Sequence, residues 1–273
     1  MGGTMTAVTL NDMVTDLAAE TTDLAGLLLG LSASEWELAT PAAGWAVRDQ
    51  VSHLAFFDEA AIIAITEPDR FRREAEALMA LGPDFPDRVA ERFRETPVVD
   101  LADWFADSRA TLLKVLGEAE ARDRVPWYGP DMSVMSCATA RLMETWAHGL
   151  DISDTFGVEC VPTSRLRHIA HLGVRTRAFS YVLRARPAPE AEVRIDLAAP
   201  DGNRWTWGPP DAAQSVTGTA LDFCFVVTQR RHVADTDLVV RGHAAAEWMS
   251  IAQAFAGAPS DGRRPSLLAK EIS

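Results

Sequence analysis

The stretch RLMETWAHGLD, residues 141–151, places a run of ionisable side chains within an otherwise apolar segment. These side chains are separated by three, four and three residues, and a helix with about 3.6 residues per turn brings them onto one face. Glu144 and His148 lie about 40° apart around such a helix, which is close enough to share one metal ion. A solvated salt-bridge stripe is the simpler alternative, and these residues alone leave both open. The four side chains are Arg141, Glu144, His148 and Asp151.

A third candidate ligand lies in a helix predicted over residues 46–66, which contains the sequence HLAFFDE. His53 falls on the apolar stripe of this helix and is expected to face the interior. A single histidine there is usually a core residue. Opposite a helix that offers a glutamate and a histidine, however, it completes a two-histidine, one-carboxylate set. Three protein ligands with an open position are typical of a catalytic zinc or similar divalent ion, which lowers the pKa of a bound water or thiol. The solvent side of the helix is expected to carry Arg48, Ser52 and Glu59.

The composition describes a globular, acidic chain of 273 residues with a net charge of −13 and 48% hydrophobic residues. This length accommodates one large domain or two small ones. Nucleic acids and anionic membrane surfaces attract basic faces, so no partner of either kind is expected. No run approaches the roughly 18 consecutive apolar residues of a membrane span, and the N-terminus lacks the basic-then-apolar pattern of a signal peptide.

The cysteines and basic residues suggest where the protein works. Cys137, Cys160 and Cys224 are odd in number and far apart, which predicts a reducing cytoplasm rather than a disulfide framework. Lysine occurs only at positions 114 and 270, so 24 of the 26 basic residues are arginine. Together with abundant alanine, this bias is typical of a GC-rich genome, and we expect an actinobacterial source.

The first part of the chain is predicted to form a helical bundle. Apolar residues recur at helical spacing over residues 10–30 and 46–66. A third helix is predicted with Asp100 as its N-cap, and a fourth runs from Ser133 to about Phe156. Four main helices of this kind are consistent with a bundle.

The pattern changes near residues 185–190, after one more helix predicted over residues 164–185. AEVRIDLAA, residues 191–199, alternates apolar and polar side chains with the period of two that is typical of a strand. The Asp201-Gly202 pair predicts a hairpin. QSVTGT and DLVVRG predict strands, whereas ALDFCFVVTQR and AAAEWMSIAQAF predict helices. The fold class is therefore α+β. The predicted domains are residues 1–160, helical and metal-binding, and residues 161–273, α+β.

Two stretches resemble the paired motifs of a known superfamily. GWAVRDQVSHLAFFDEAA, residues 44–61, resembles the motif G-W-s-v-r-d-x-v-x-H-L of the DinB/mycothiol-dependent maleylpyruvate isomerase superfamily. RLMETWAHGLDISDTFG, residues 141–157, resembles its motif R-x-x-E-x-x-x-H-x-x-D. The pieces TALDFCFVVTQRR, DLVVRG and AEWM resemble its small C-terminal domain. The resemblance covers nearly the whole chain.

This resemblance implies a fold, a metal site and a thiol. The implied fold is an N-terminal four-helix DinB-like bundle followed by a small α/β, sterol-carrier-like C-terminal domain. The implied metal ligands are His53, Glu144 and His148, with a divalent ion that is most often Zn²⁺. The implied thiol is mycothiol.

Further roles follow from the same resemblance. Asp151 is a candidate partner for a ligand imidazole, with a surface position near the helix end as the alternative. Arg230, within TQRR, matches a functional arginine of the isomerases, although Thr-Gln replaces their Trp-Gly and Arg231 follows directly. We expect Arg141 and Arg230 to stabilise an anionic substrate or enolate and Arg231 to lie at the pocket. A solvated arginine pair at 230–231 is the alternative.

Other candidates carry weaker signals. Trp127 and Tyr128, in a loop just before the metal helix, are expected to line the mouth of the pocket. His168 and His171 lie among several arginines, which indicates a cationic helix face or, alternatively, a site for an anionic ligand. Cys137 is expected to be a small buried residue.

The leading functional hypothesis is a metal-dependent enzyme that uses mycothiol or a similar thiol for S-transfer or isomerisation of a small electrophilic metabolite. Its expected partners are a small-molecule substrate and the thiol, with a homodimer as the expected assembly. A metal-dependent hydrolase and a secondary-metabolite cyclase or lyase are alternative enzymes. A non-catalytic, metal-bearing ligand-binding protein is the alternative outside enzymology.

Overall fold

The computed structural model describes residues 8–266, and the chain divides into two compact units, residues 1–159 and 160–273. The first unit is almost entirely helical, and the second is built around a small sheet. The predicted α+β class, a helical N-terminal region with a small C-terminal sheet domain, is confirmed. Among residues 8–266, every helix falls short of the length and apolar character needed to cross a bilayer.

Four long helices dominate the first unit, and shorter elements connect them. The long helices α3 (Val47–Thr66) and α6 (Val98–Glu118) pack against each other, and α3 also packs against α7 (Val134–Phe156). Helix α1 (Leu10–Leu28) packs against α6 and α7. Leu54, Leu101 and Ile152 are fully buried in the core between them. The elements are α1 (Leu10–Leu28), α2 (Ala33–Trp36), α3 (Val47–Thr66), α4 (Pro68–Met79), α5 (Phe85–Arg92), α6 (Val98–Glu118), β1 (Arg124–Val125), β2 (Met132–Ser133) and α7 (Val134–Phe156).

The sequence placed most helix ends correctly but misplaced one cap. Ser133 caps α7 as predicted, because its side chain accepts a hydrogen bond from the amide of Ser136. Asp100 is not the cap of α6, which begins two residues earlier, at Val98 after Pro97. The carboxylate of Asp100 instead lies in the first turn, where it complements the positive end of the helix dipole.

The expected solvent side of α3 is wrong at two of its three positions. The side chain of Ser52 is 1% exposed, and Arg48 is buried while its guanidinium bonds Glu37 and the carbonyl of Thr96. Only Glu59 is exposed. This helix is covered on almost every side, by α6, α7, α4 and α5.

The second unit contains a mixed four-stranded sheet, whose strands lie in the order β4 (Arg204–Trp207), β3 (Val193–Ala198), β5 (Gln214–Thr219) and β6 (Val239–Arg241). The hairpin predicted at Asp201-Gly202 joins β3 to β4 in antiparallel register, whereas β5 pairs parallel to β3, with Ile195 opposite Val216. The elements are α8 (Leu166–Arg175), α9 (Arg177–Val182), β3 (Val193–Ala198), β4 (Arg204–Trp207), β5 (Gln214–Thr219), α10 (Ala220–Val227), β6 (Val239–Arg241) and α11 (His243–Ile251), with one 3₁₀ turn at Val233–Asp235.

Three helices of this unit are shorter than predicted, among them α10, which ends at Val227 rather than at residue 230. The helix expected over residues 164–185 is interrupted at Thr176, whose hydroxyl donates to the carbonyls of Leu172 and Gly173 and so competes with the helical pattern. The last helix ends at Ile251, after which the backbone of Ala252 is extended.

Gln229 ends α10 in a left-handed conformation, with φ of +59°. The amide of Gln229 donates to the carbonyl of Val226, and that of Arg230 donates to the carbonyl of Phe225, which together form a Schellman motif. Glycine is the usual residue at this position because it carries no Cβ. Here the side-chain amide of Gln229 donates to the carbonyls of Ala252 and Ser260, which ties the chain after α11 to the end of α10.

Candidate metal centre

His53 is positioned by the loop that leads into α3. The hydroxyl and amide of Thr40 both donate to the carbonyl of Trp45, which closes this loop on itself. The amide of Ala46 then donates to Asp49 in the first turn of α3, and Arg94 binds the same carboxylate. The start of the helix, and with it the direction of His53 two turns later, is therefore fixed by a short closed loop.

The three predicted ligands come together between α3 and α7. The Nε2 atom of His148 lies 3.1 Å from Oε2 of Glu144, one turn earlier on α7. The Nε2 atom of His53 lies 3.8 Å from the same oxygen. All three donor atoms lie within 4.8 Å of one another. The sequence thus predicted a cluster that depends on two helices roughly ninety residues apart.

The donor set fits a divalent ion such as zinc. Two ligand atoms about 2.0–2.1 Å from one tetrahedral ion lie about 3.3 Å apart, so the observed separations require only small movements of the side chains. Two imidazoles and one carboxylate leave a fourth position open. Glu144 is the most exposed of the three side chains, at 21%, so that position is accessible from its side.

The protonation states also suit metal binding. Burial, and then the neighbouring charge of His148, lowers the pKa of His53 to about 4, so this imidazole is neutral at neutral pH. Burial alone would raise the pKa of Glu144, but hydrogen bonds from His148 and His53 outweigh it and hold that pKa well below its usual value. A neutral imidazole and an ionised carboxylate are the forms that bind metal ions.

Gln50 fixes the orientation of the His148 ring through Nδ1, the nitrogen that does not face Glu144. The Nδ1 atom of His148 is hydrogen-bonded to Oε1 of Gln50, whose Nε2 donates to the hydroxyl of Thr40 at 2.8 Å. Because a carbonyl oxygen can only accept, Nδ1 carries a proton, and when His148 is neutral the lone pair of Nε2 is available to a metal ion.

The sequence had assigned this supporting role to Asp151 as a candidate. Asp151 is buried on α7, and the partner on His148 Nδ1 is Gln50. Gln50 could have been found, because it precedes His53 by three residues and shares its interior stripe. For His53 itself the Nδ1 atom is buried without a hydrogen-bond partner among the described residues, and the ring is held by aromatic contacts with Trp45 and Phe57.

Arg141 lies in a buried ion-pair network. Its Nε donates to Asp58 at 2.9 Å, and Nε of Arg109 donates to the other oxygen of the same carboxylate at 2.7 Å. All three side chains are at most 3% exposed. The network joins α3, α6 and α7, and sequence reasoning missed both Asp58 and Arg109. A catalytic role for Arg141 stays a prediction.

The predicted arginines of the second unit follow the Schellman motif. Arg230 donates to the carbonyl of Thr228 at 2.9 Å. The guanidinium of Arg231 lies over the ring of Phe225 at 5.0 Å and lines a small cavity together with His232 and Arg263. The catalytic role of Arg230 and the pocket role of Arg231 stay predictions. In the same unit, His171 accepts a hydrogen bond from Trp207 at 3.1 Å rather than joining His168 in a metal site.

Trp127 and Tyr128 belong to a cluster of five aromatic rings, here called the aromatic wall. The ring of Phe71 stacks on Trp127 at 5.6 Å, and Tyr128 contacts Phe57 at 5.5 Å and Phe85 at 5.1 Å. The ring of Phe57 also lies 4.5 Å from the imidazole of His53. The aromatic wall, consisting of Phe57, Phe71, Phe85, Trp127 and Tyr128, therefore adjoins the candidate ligands. A pocket role for Trp127 and Tyr128 stays a prediction.

Comparison with known proteins identifies the family. The sequence profile described as "Mycothiol maleylpyruvate isomerase N-terminal domain" matches residues 17–153, which is half of the chain. The chain belongs to this family. The resemblance to the DinB-like superfamily inferred from the paired motifs is thereby confirmed. A second profile, described as "Wyosine base formation", matches residues 189–241 of the second unit.

Similar proteins are found among curated sequences and solved structures. Two proteins of Mycobacterium tuberculosis, from strains CDC 1551 / Oshkosh and ATCC 25618 / H37Rv, are 44% identical over 92% of this chain and 97% of their own length, and each is described as an uncharacterized protein. The crystal structure of the mycothiol-dependent maleylpyruvate isomerase aligns with a TM-score of 0.59 at 16% identity, over 86% of this chain and 95% of that one. A histidine-to-alanine mutant of that isomerase aligns over 83% of this chain and 92% of its own, with a TM-score of 0.58. These structures show the shared fold.

Proposed function

We propose that this protein is a metal-dependent enzyme that uses mycothiol, or a similar thiol, to act on a small electrophilic metabolite by S-transfer or isomerisation. The observation that carries the proposal is the convergence of His53, Glu144 and His148, one from α3 and two from α7. Membership of the mycothiol maleylpyruvate isomerase family supports the thiol, because the solved relative of the same fold is a mycothiol-dependent enzyme.

Each side chain at the metal centre has a separate role in the proposal. His53 offers a neutral imidazole, His148 offers a second ring nitrogen, and Glu144 offers a negative charge with a partly exposed carboxylate. Gln50 keeps His148 in the tautomer that directs its lone pair to the site. The rings of Trp45 and Phe57 exclude water from one side of the imidazoles. A bound divalent ion, which we propose to be zinc, would lower the pKa of the thiol and hold the thiolate ready for the electrophile.

The remaining features of the proposal concern partners and place. A small-molecule substrate and the thiol are the proposed partners, and Arg141 and Arg230 are the proposed cationic groups for an anionic intermediate. A cytoplasmic location is proposed because the three cysteines, among them the buried Cys137 and Cys224, are free thiols. A homodimer is the proposed assembly.

Metal analysis and thiol binding test the proposal together. The wild type, purified without a histidine tag or chelator, is expected to carry about one zinc ion per chain, and His53→Ala is expected to lose it. His171→Ala is the matched control, because His171 is an exposed histidine of the second unit. Mycothiol is expected to raise the melting temperature of the zinc-loaded wild type but not of His53→Ala. Metal-free wild type after zinc is added back would contradict the proposal.

The alternative functions give different results in the same experiments. A metal-dependent hydrolase would need the same zinc but would turn over its substrate with no thiol present. A non-catalytic binding protein would keep its ligand affinity after Glu144→Gln, whereas the proposed enzyme loses turnover.

A further inference from the structure

The aromatic wall is continuous with the candidate metal centre. Phe57 contacts the imidazole of His53 at 4.5 Å on one side and the ring of Tyr128 at 5.5 Å on the other. Trp45 covers the other flank, 5.2 Å from His53 and stacked on His148 at 5.8 Å. A molecule that reaches the centre from the side of the wall therefore meets the faces and edges of aromatic rings.

The rings of the wall differ in burial in a way that leaves a surface open. Phe57 and Phe71 are 6% and 3% exposed and form its floor. Phe85, Trp127 and Tyr128 are only half-buried. Rings that serve packing alone gain most from complete burial, so the accessible part of these three rings is available to a ligand.

The charges around the wall disfavour an anionic ligand. Asp87 accepts a hydrogen bond from the indole of Trp45 at 2.6 Å, and Glu74 lies near enough to act on the hydroxyl of Tyr128. The positive charge of Arg141 also acts on this hydroxyl, but Arg141 is paired with Asp58. The negative charge of Glu144 does not add to this effect, because the proposed divalent ion would offset it. A dicarboxylate at the wall would meet charges of its own sign, whereas an uncharged ring would not.

The nearby arginines are already engaged with carboxylates of the protein. Arg141 donates to Asp58 at 2.9 Å, and Arg94 donates to Asp49 at 3.0 Å. Drawing Arg94 away to bind a substrate carboxylate would leave the buried Asp49 without its cationic partner, and drawing Arg141 away would leave Asp58 with Arg109 alone, so both movements are costly. The guanidinium groups of Arg141 and Arg94 are therefore committed to carboxylates of the protein, whereas the exposed parts of the aromatic rings are available to a ligand.

We propose that the aromatic wall is the subsite for the electrophile and that it selects an uncharged, planar, conjugated molecule over a dicarboxylate. The proposal rests on the proposed thiol-dependent function and names its substrate class. With an aryl halide, the sulfur of the thiolate forms a bond to the ring carbon while the carbon–halogen bond breaks. The halide leaves with the electron pair, and the proton of the thiol passes to solvent.

Binding without chemistry tests the subsite directly. The probe is 1,3-dinitrobenzene, a neutral planar ring without a leaving group, measured by equilibrium dialysis against the zinc-supplemented full chain with no thiol. Trp127→Leu is expected to raise its Kd about five- to tenfold, because the stacking surface is lost. Trp104→Leu is the matched control, since Trp104 is a half-buried indole that packs on Phe93 at 4.6 Å, and it should leave the Kd unchanged.

Two results of the binding experiment would overturn the proposal. One is an equal Kd of 1,3-dinitrobenzene for wild type and Trp127→Leu. The other is a Kd for maleate, measured by displacement of 1,3-dinitrobenzene, that is lower than the Kd of 1,3-dinitrobenzene itself. If Trp127→Leu does not fold, as judged by circular dichroism, Tyr128→Leu takes its place, with the same expected rise in Kd.

Turnover separates the subsite from the proposed function. With mycothiol present, Trp127→Leu is expected to lower kcat/KM for 1-chloro-2,4-dinitrobenzene five- to tenfold while leaving that for iodoacetamide, a small neutral electrophile, unchanged. Trp127-dependent ring binding without thiol-dependent turnover of either electrophile would support the subsite and contradict the proposed function. Thiol-dependent turnover of iodoacetamide, together with a Kd of 1,3-dinitrobenzene that Trp127→Leu does not change, would overturn the subsite and leave the proposed function intact.

Discussion

Among single residues, Gln50 is the clearest case of a side chain that acts through another. It contributes no ligand atom, yet its Oε1 accepts the hydrogen bond from Nδ1 of His148 and so decides which nitrogen of that ring faces the centre. Its own amide is held by Thr40 at 2.8 Å, so the acceptor is fixed in place. The order of the orienting groups is therefore Thr40, Gln50, His148, and each is buried.

Gln50→Leu is expected to weaken zinc binding about 10- to 100-fold, because the ligand imidazole loses the group that fixes its tautomer and orientation. Gln50→Glu keeps an acceptor at the same place and should retain or strengthen the affinity. Competition with a chromophoric chelator measures both. Equal zinc affinity in wild type and Gln50→Leu would show that Gln50 does not position the ligand.

His53 makes the stability of the metal-free protein depend on pH. Its pKa is about 4 when folded and about 6.5 when unfolded, so between these values the unfolded chain binds a proton that the folded chain does not. The contribution of His53 to stability is therefore fully present above pH 6.5 and is lost as the pH falls toward 4, by up to about 3 kcal/mol. Urea unfolding of chelator-treated protein across this range should show the decline, and His53→Gln should flatten it. A wild-type curve as flat as that of the variant would contradict the assignment.

At the level of the elements, one carboxylate connects three helices. Asp58 on α3 accepts hydrogen bonds from Arg109 on α6 and from Arg141 on α7. All three side chains are buried, at most 3% exposed. Arg109 is further held by the hydroxyl of Thr145 at 3.0 Å. The network fixes the relative positions of α3 and α7, the helices that carry the candidate ligands.

Asp58→Ala is expected to cost about 3–5 kcal/mol, because it leaves two buried guanidinium groups without their counter-charge. Asp69→Ala, which removes a carboxylate that is 89% exposed, should change stability by less than about 0.5 kcal/mol. Urea unfolding monitored by circular dichroism compares the two. A loss of stability in Asp58→Ala no larger than in the control would show that the ion pairs contribute little.

The end of α10 offers a second test at this level. Gln229→Gly relieves the left-handed strain but removes hydrogen bonds to Ala252 and Ser260, each worth about 1 kcal/mol. Gln229→Ala removes the same bonds and keeps the strain. We expect stability to decrease in the order wild type, Gln229→Gly, Gln229→Ala, as measured by thermal unfolding. A glycine variant more stable than wild type would mean that the two bonds contribute little.

For the whole molecule, local patterns predicted the elements well and their surroundings less well. The alternation at residues 191–199 and the Asp201-Gly202 pair identified the first hairpin, since both signals act over neighbouring residues. The predicted cap at Asp100 and the predicted continuous helix over residues 164–185 were wrong, because several residues compete for each helix end. The two motifs found the three candidate ligands, but Gln50 and Asp58 went unnoticed because their partners lie on other helices.

The stacking of Trp45 on His148 gives the molecule an optical property. The two rings lie 5.8 Å apart and only 14° from parallel. Indole fluorescence is sensitive to charge and to metal ions at this range. The fluorescence intensity of Trp45 should therefore change when His148 gains a proton or binds a metal ion. The chain has seven other tryptophans, and a Trp45→Phe variant would identify the share of the signal that belongs to the centre. The protein would thus report the occupancy of its own site by light, with no label attached.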